Sequence, residues 1–152
     1  HVPDPLGAIL AEIAEPVLAC GHTHIPWMQE QDGRLVINPG AVCGPLNGDV
    51  RAQYALLSWE DGRWRAEHRA VPYDLALTRR SFQESGLLVE GGPLARAFLL
   101  SNETGQNVAH YFLTYAYGLA AEAGCAGCAV VPDEIWDRAA ETWNWAEFER
   151  QP

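Results

Sequence analysis

Residues 18–27, "LACGHTHIPW", place an apolar run, a glycine and two histidines one residue apart in immediate succession. The preceding "PVLAC" is too apolar for a half-exposed strand and reads as a short buried one. Gly21 ends it and permits a sharp turn. Taken as an extended segment, His22 and His24 point to the same side, about 6.5 Å apart along the chain. Two imidazoles so placed chelate one ion, or each takes one ion of a close pair. Two-metal hydrolytic centres hold their ions roughly 3.5–4 Å apart, which suits the second arrangement. Position also favours function, because ligands of α/β sheets gather at the carboxyl ends of strands. An isolated His-x-His usually carries no metal. Here the company of strand, glycine and the turn at Pro26 makes His22 and His24 candidate metal ligands. A second glycine-bearing turn, Asn38-Pro39-Gly40-Ala41, follows at another strand end.

Around this stretch the elements are legible as patterns. "PLGAILAEIA", residues 5–14, sets Leu6, Ile9, Leu10 and Ile13 on one helical stripe. "GRLVINPG" supplies a strand over Arg34–Asn38, stopped by Pro39-Gly40. "AQYALLSWEDGRWRAEHRAV", residues 52–71, is a hairpin with Asp61-Gly62 as its two-residue turn. The order helix, strand, loop, strand, hairpin is the habit of an α/β sandwich. Beyond Pro72 the strand signals stop. "YDLALTRRSFQES", residues 73–85, predicts a short helix ended by Gly86, and "PLARAFLL" opens another with Pro93 at the first position. Ser101 or Thr104 is expected to cap a long helix reaching Ala123, along which Val108, Phe112, Tyr115 and Leu119 recur at helical spacing. "PDEIWDRAAETWNWAEFE", residues 132–149, predicts a last helix with Trp136, Ala140, Trp143 and Glu147 on one side.

Bulk properties narrow the function. In 152 residues the hydrophobic share is 48% and the charged share 20%, as in soluble globular proteins. No apolar run approaches the roughly 20 residues a membrane span needs, and the start does not read as a signal peptide. The net charge of -10 argues against non-specific binding to nucleic acid or anionic lipid. A small phosphorylated substrate stays compatible, since a bound cation reverses the local field. Four cysteines are too few for a disulfide-stapled scaffold of this size, so reduced thiols and a cytoplasmic location are expected.

Taken together, "CGHTHIP", "RLVINPGAVCGP" and "AQYALL" resemble the carboxy-terminal half of the calcineurin-like metallophosphoesterases, most closely their small bacterial and archaeal phosphodiesterase branch. The resemblance runs from about Pro3 to Pro72. It implies an α/β (α+β) fold in which two β-sheets pack face to face with helices outside. Residues 1–72 would be the distal half of that domain, and 73–152 a helical extension acting as cap or dimerisation element. It also implies a dinuclear centre of manganese, iron, zinc or nickel that hydrolyses phosphate mono- or diesters. His22 and His24 match the two histidines of the family block, which bind different ions. Gly21, Thr23, Asn38 and Gly40 then belong to the pocket wall.

The family's other ligands are an Asp-x-His pair, a bridging aspartate, an Asn-His pair and one further histidine. All precede the block, whereas about twenty residues precede it here and none match. His1 is a stand-in for the further histidine whose neighbours "VPDPL" do not resemble that motif. The resemblance thus implies a chain that is inactive alone. Its expected partners are the missing N-terminal half and a phosphorylated small molecule, with homo-oligomers forming through exposed edge strands.

A different class of reading is a non-catalytic interaction module, stabilised or not by one zinc on Cys20, His22, His24 and Cys43, with tryptophan-bearing helices as its contact surface. Cys125-Ala-Gly-Cys128 has CxxC spacing, yet no second ligand pair and no strand-to-helix context accompany it. His68 lies in a hairpin strand, where a surface role is the default, and His110 reads as a packing histidine. "ETGQN", residues 103–107, fits helix capping better than anion binding.

Overall fold

The structure, a computed structural model, describes residues 5–128 and 130–149. The described chain divides into two compact units. One holds the chain up to Cys43 together with Arg51–Val71, and the other holds Gly44–Val50 and the chain from Pro72 onward. The mixed α/β class expected from the sequence holds.

In the first unit, helix α1 (Pro5–Ala11) buries Leu10 and stops three residues short of the expected Ala14. A three-stranded sheet follows, ordered β1 (Val17–Ala19), β3 (Arg34–Asn38), β2 (Trp27–Gln31). β1 pairs with β3 in parallel and β2 pairs with it antiparallel. β3 is flanked on both sides, and its Leu35, Val36, Ile37 and Asn38 are all buried, as the near-continuous apolar run of a central strand requires.

The sequence reading expects loop where β2 forms. "WMQEQ" contains no β-branched residue, so propensity conceals the strand. Asp32-Gly33 reveals it. This dipeptide repeats the Asp61-Gly62 turn, with φ of 52° and 73° against 51° and 77°. Two consecutive left-handed residues are what a two-residue type I′ hairpin turn needs. The predicted hairpin is present as β4 (Ala52–Glu60) and β5 (Arg63–Val71), closed at its tip by Trp59 and Trp64 edge to face at 5.6 Å.

The second unit is helical: α2 (Leu75–Glu84), α3 (Leu87–Glu90), α4 (Gly92–Thr104), α5 (Val108–Glu122), α6 (Asp133–Thr142) and a 3-10 turn, Trp145–Glu147. Asp74 caps α2 by accepting from the Ala76 amide at 2.8 Å. The expected cap at Ser101 or Thr104 is not found. Both residues lie inside α4, which ends at the left-handed Gly105, and Asn107 caps α5 instead. The Ser101 hydroxyl donates to Ala97 O and accepts from the Ala109 amide, each at 3.0 Å, so it ties α4 to α5. Gly105 also packs on Gly48. A Cβ there would come within 2.9 Å of the Gly48 backbone.

The core centres on Phe112, fully buried, with the rings of Trp136, Trp143 and Trp145 at 6.2, 5.8 and 5.0 Å. α6 is shorter than expected because Trp143 turns to an extended conformation, and its buried stripe is Ile135 and Ala139, one position from the expected Trp136 and Ala140. A small Ala139 lets the helix approach closely while the bulky Trp136 packs from its flank. His110 is exposed, not a packing histidine. Cys125 and Cys128 form a disulfide, contrary to the expected thiols. The turn through Gly127 (φ 77°) brings their Cα atoms to 5.4 Å, inside the bridging range. Among the described residues no helix is long and apolar enough to cross a membrane.

Replacing Phe112 by alanine removes the ring on which three tryptophans pack. The expected loss is about 3–5 kcal/mol, read as a lowered denaturant midpoint of tryptophan fluorescence.

Candidate functional site

Because β1 and β3 are parallel, their carboxyl ends share one edge of the sheet, and Trp27 at the start of β2 pairs with Asn38 at the end of β3. The segment 20–26 therefore leaves β1, arches across the end of β3 and re-enters the sheet on the far side. His22 and His24 sit in this arch, at the sheet edge where α/β ligands collect.

Asn38 lies beneath the arch and is 1% exposed. Its Nδ2 donates to Gly21 O at 3.2 Å and to Thr23 Oγ1 at 3.0 Å. Its Oδ1 accepts from the Gly40 amide at 3.0 Å. One amide thus holds both glycine turns. An aspartate could not donate here, and a leucine could do neither. The remaining backbone of the arch start is tied as well: Cys20 N–H donates to Ile37 O at 2.9 Å, and its thiol lies 3.5 Å from the same oxygen.

The extended geometry expected for the histidine pair is not found. Thr23 N–H donates to Gly21 O at 2.9 Å, closing a three-residue γ-turn around His22, whose φ is 72°. His24 is also left-handed, at 57°. Left-handed backbone costs a residue with a Cβ roughly 1–2 kcal/mol. Such strain persists where the surroundings over-determine it, and it clusters at functional sites. The turn, not the strand pleat, sets where these imidazoles go. His22 is exposed and His24 half-buried.

Gly40 closes the second turn at φ 87°. A Cβ on it would meet Gln53 Oε1 at 2.4 Å and Gln53 Cβ at 2.9 Å, so no side chain fits. Gln53 is buried and its backbone N–H donates to Ala41 O at 2.9 Å.

His68 corrects the surface role expected of it. It is half-buried, and its Nε2 lies 2.9 Å from Asn38 O. A carbonyl only accepts, so Nε2 carries the hydrogen and donates. The signal for this was present in β5. Ala66 and Ala70 share the face of His68, while Arg65, Glu67 and Arg69 take the opposite, exposed face. The arginines belong to surface pairs there, and the Glu67 carboxylate raises the Arg69 guanidinium above its ordinary value by hydrogen bond and charge.

No three His, Cys, Asp or Glu side chains converge as a ligand set among the described residues. The mononuclear zinc arrangement of Cys20, His22, His24 and Cys43 is therefore not assembled. The two imidazoles stand without the carboxylate bridge that fixes a pair of ions, so the described residues do not by themselves fit a dinuclear centre. His1 lies outside the described residues.

Comparison with known proteins bears on this edge of the sheet. The model of the calcineurin-like phosphoesterase superfamily domain matches residues 2–62, the segment holding both turns. A metallophosphoesterase from Sphaerobacter thermophilus, known from its crystal structure, is similar at a TM-score of 0.53 and 26% identity over 66% of this chain. The chain covers 47% of that protein, about half its length. No curated protein matches. Residues 2–62 are thus similar to the calcineurin-like phosphoesterase superfamily domain, and the solved metallophosphoesterase supports that likeness.

Asn38→Ala strands Gly21 O, Thr23 Oγ1 and the Gly40 amide, and is expected to lower stability by about 1–3 kcal/mol. Hydrogen exchange should show lost protection at Thr23 and Gly40 while the centre of β3 stays protected. Gly40→Ala and Gly33→Ala form a matched pair, since both pay the left-handed penalty but only Gly40 meets Gln53. Gly33→Ala should cost about 1–2 kcal/mol, and Gly40→Ala clearly more, measured by chemical denaturation.

Proposed function

We propose that this chain is the distal portion of a metal-dependent phosphoesterase that hydrolyses phosphate mono- or diesters, as in the small phosphodiesterase branch. On this reading His22 and His24 are the ligands it contributes, one to each ion of a close pair. The observation that carries the reading is the strained arch itself. Two histidines are held left-handed at a sheet's carboxyl edge by a buried asparagine, within the segment that matches the superfamily. Imidazole nitrogen suits divalent manganese, iron, zinc or nickel. When bound, such ions polarise phosphoryl oxygens and acidify water.

What the chain's own residues do is narrower. The γ-turn and the Asn38 clamp fix the directions of His22 and His24 before any ion arrives. Gly40 leaves beside the second turn the room that the buried Gln53 side chain fills. The bridging carboxylate and the other ligands are supplied by the amino-terminal half of the same enzyme, so residues 1–152 alone are inactive. That the chain spans about half the length of its solved relative supports this. The substrate is a phosphorylated small molecule, whose charge the metal pair offsets in a chain of net charge -10.

The test uses the polypeptide that includes the preceding half. His22→Ala and His24→Ala should each reduce bound metal and lower turnover of bis(p-nitrophenyl) phosphate by more than the roughly 10–100-fold that follows loss of an outer-shell partner. Metal stoichiometry and turnover both unchanged in the two variants would overturn the proposal.

A further inference from the structure

The helical unit contains a cleft of about 610 Å³, within the size range of small-molecule sites, that the phosphoesterase reading leaves unused. Leu88, Leu99 and Leu100 give it apolar surface. Two guanidinium groups line it, Arg79 from α2 and Arg96 from α4, and each is anchored by a carboxylate. Arg79 donates through Nε and Nη2 to the two oxygens of Glu103, both at 2.7 Å. Glu103 is only 8% exposed, so this fork is built into the wall rather than tethered at the surface. Arg96 donates through Nη2 to Glu149 and sits over the Trp145 ring, 4.2 Å from its centre. Trp145 is itself held, its Nε1–H donating to Ala140 O at 2.8 Å.

Both arginine side chains remain about half exposed, at 56% and 46%, and neither uses Nη1 on its partner. The wall thus offers charged donors already fixed in direction, which lowers the ordering cost of binding. Its formal charge favours a singly charged ligand. Arg79 and Arg96 are balanced by Glu103 and Glu149, so a doubly charged phosphate gains little and meets two carboxylates. A single negative charge needs only the open edges of the guanidinium groups. We propose that this cleft binds a small monocarboxylate whose apolar or aromatic body lies against the leucines. The proposal is independent of the phosphoesterase reading.

Calorimetric titration of the 152-residue chain with 4-phenylbutyrate tests it, together with the Trp145 indole N–H resonance. Saturable one-to-one binding that shifts this resonance is expected. The neutral 4-phenylbutyramide should bind at least about tenfold more weakly, since a charge-assisted hydrogen bond is lost. Arg96→Gln should weaken 4-phenylbutyrate about tenfold or more with an unchanged circular dichroism spectrum. Should that variant not fold, Arg96→Lys, which keeps the charge without the planar fork, must show the loss instead. Four results would each overturn the proposal. These are no saturable binding, amide binding equal to acid, tighter binding of 3-phenylpropyl phosphate than of 4-phenylbutyrate, or full affinity in a folded Arg96 variant.

Discussion

At the end of β3 a single buried amide holds two turns at once. Asn38 Nδ2 reaches up to Gly21 and Thr23 while Oδ1 takes the Gly40 amide, and His68 fastens the Asn38 carbonyl from the hairpin. Remove that amide and the γ-turn at His22 has little to hold it against its own backbone strain. A fully buried asparagine is expensive unless its polar atoms are satisfied. Here both ends of the amide are matched, so the same hydrogen bonds that stabilise the residue also shape the arch. Stability and site geometry are therefore one set of contacts in this part of the molecule.

The helical unit solves a different problem. Its centre is aromatic, with Phe112 amid three tryptophans, and the helices come close where residues are small: Ala97, Ala116 and Ala139 are all fully buried. Large rings supply burial and alanines supply proximity. Polar ties then set the helix ends. Ser101 bridges α4 to α5, and Arg79 and Glu103 join α2 to α4, an ion pair whose carboxylate raises the Arg79 guanidinium above its ordinary value.

Much of this was written in local patterns. The apolar "RLVIN" marked a strand whose bounds match β3, and Asp61-Gly62 placed the long hairpin. The likeness to calcineurin-like phosphoesterases was readable from "CGHTHIP" and "RLVINPGAVCGP" because those stretches are short, specific and close together. What escaped was decided by contacts between distant residues. β2 has poor strand propensity and exists because Asp32-Gly33 folds it back on β3. The left-handed backbone at His22 and His24 depends on Asn38, about fifteen residues away, and no period along the chain announces it. The alternation along β5 turns His68 inward, but its partner, the Asn38 carbonyl, lies 30 residues away and is not legible locally. The stop of α6 at Thr142 reflects Trp143 turning into the aromatic core, a tertiary demand that overrides a helical sequence pattern.

The pairing of β3 with its two neighbours has a consequence for how the arch comes into being. Side chains on a strand alternate between faces, so a slip of one residue in β3 would carry Asn38 to the opposite side of the sheet. Gly21, Thr23 and Gly40 would then lose their common partner together. The arch acts as a proofreader of alignment: it can close only over a sheet assembled in the correct phase, and a misaligned chain is left with slack where the histidines should stand.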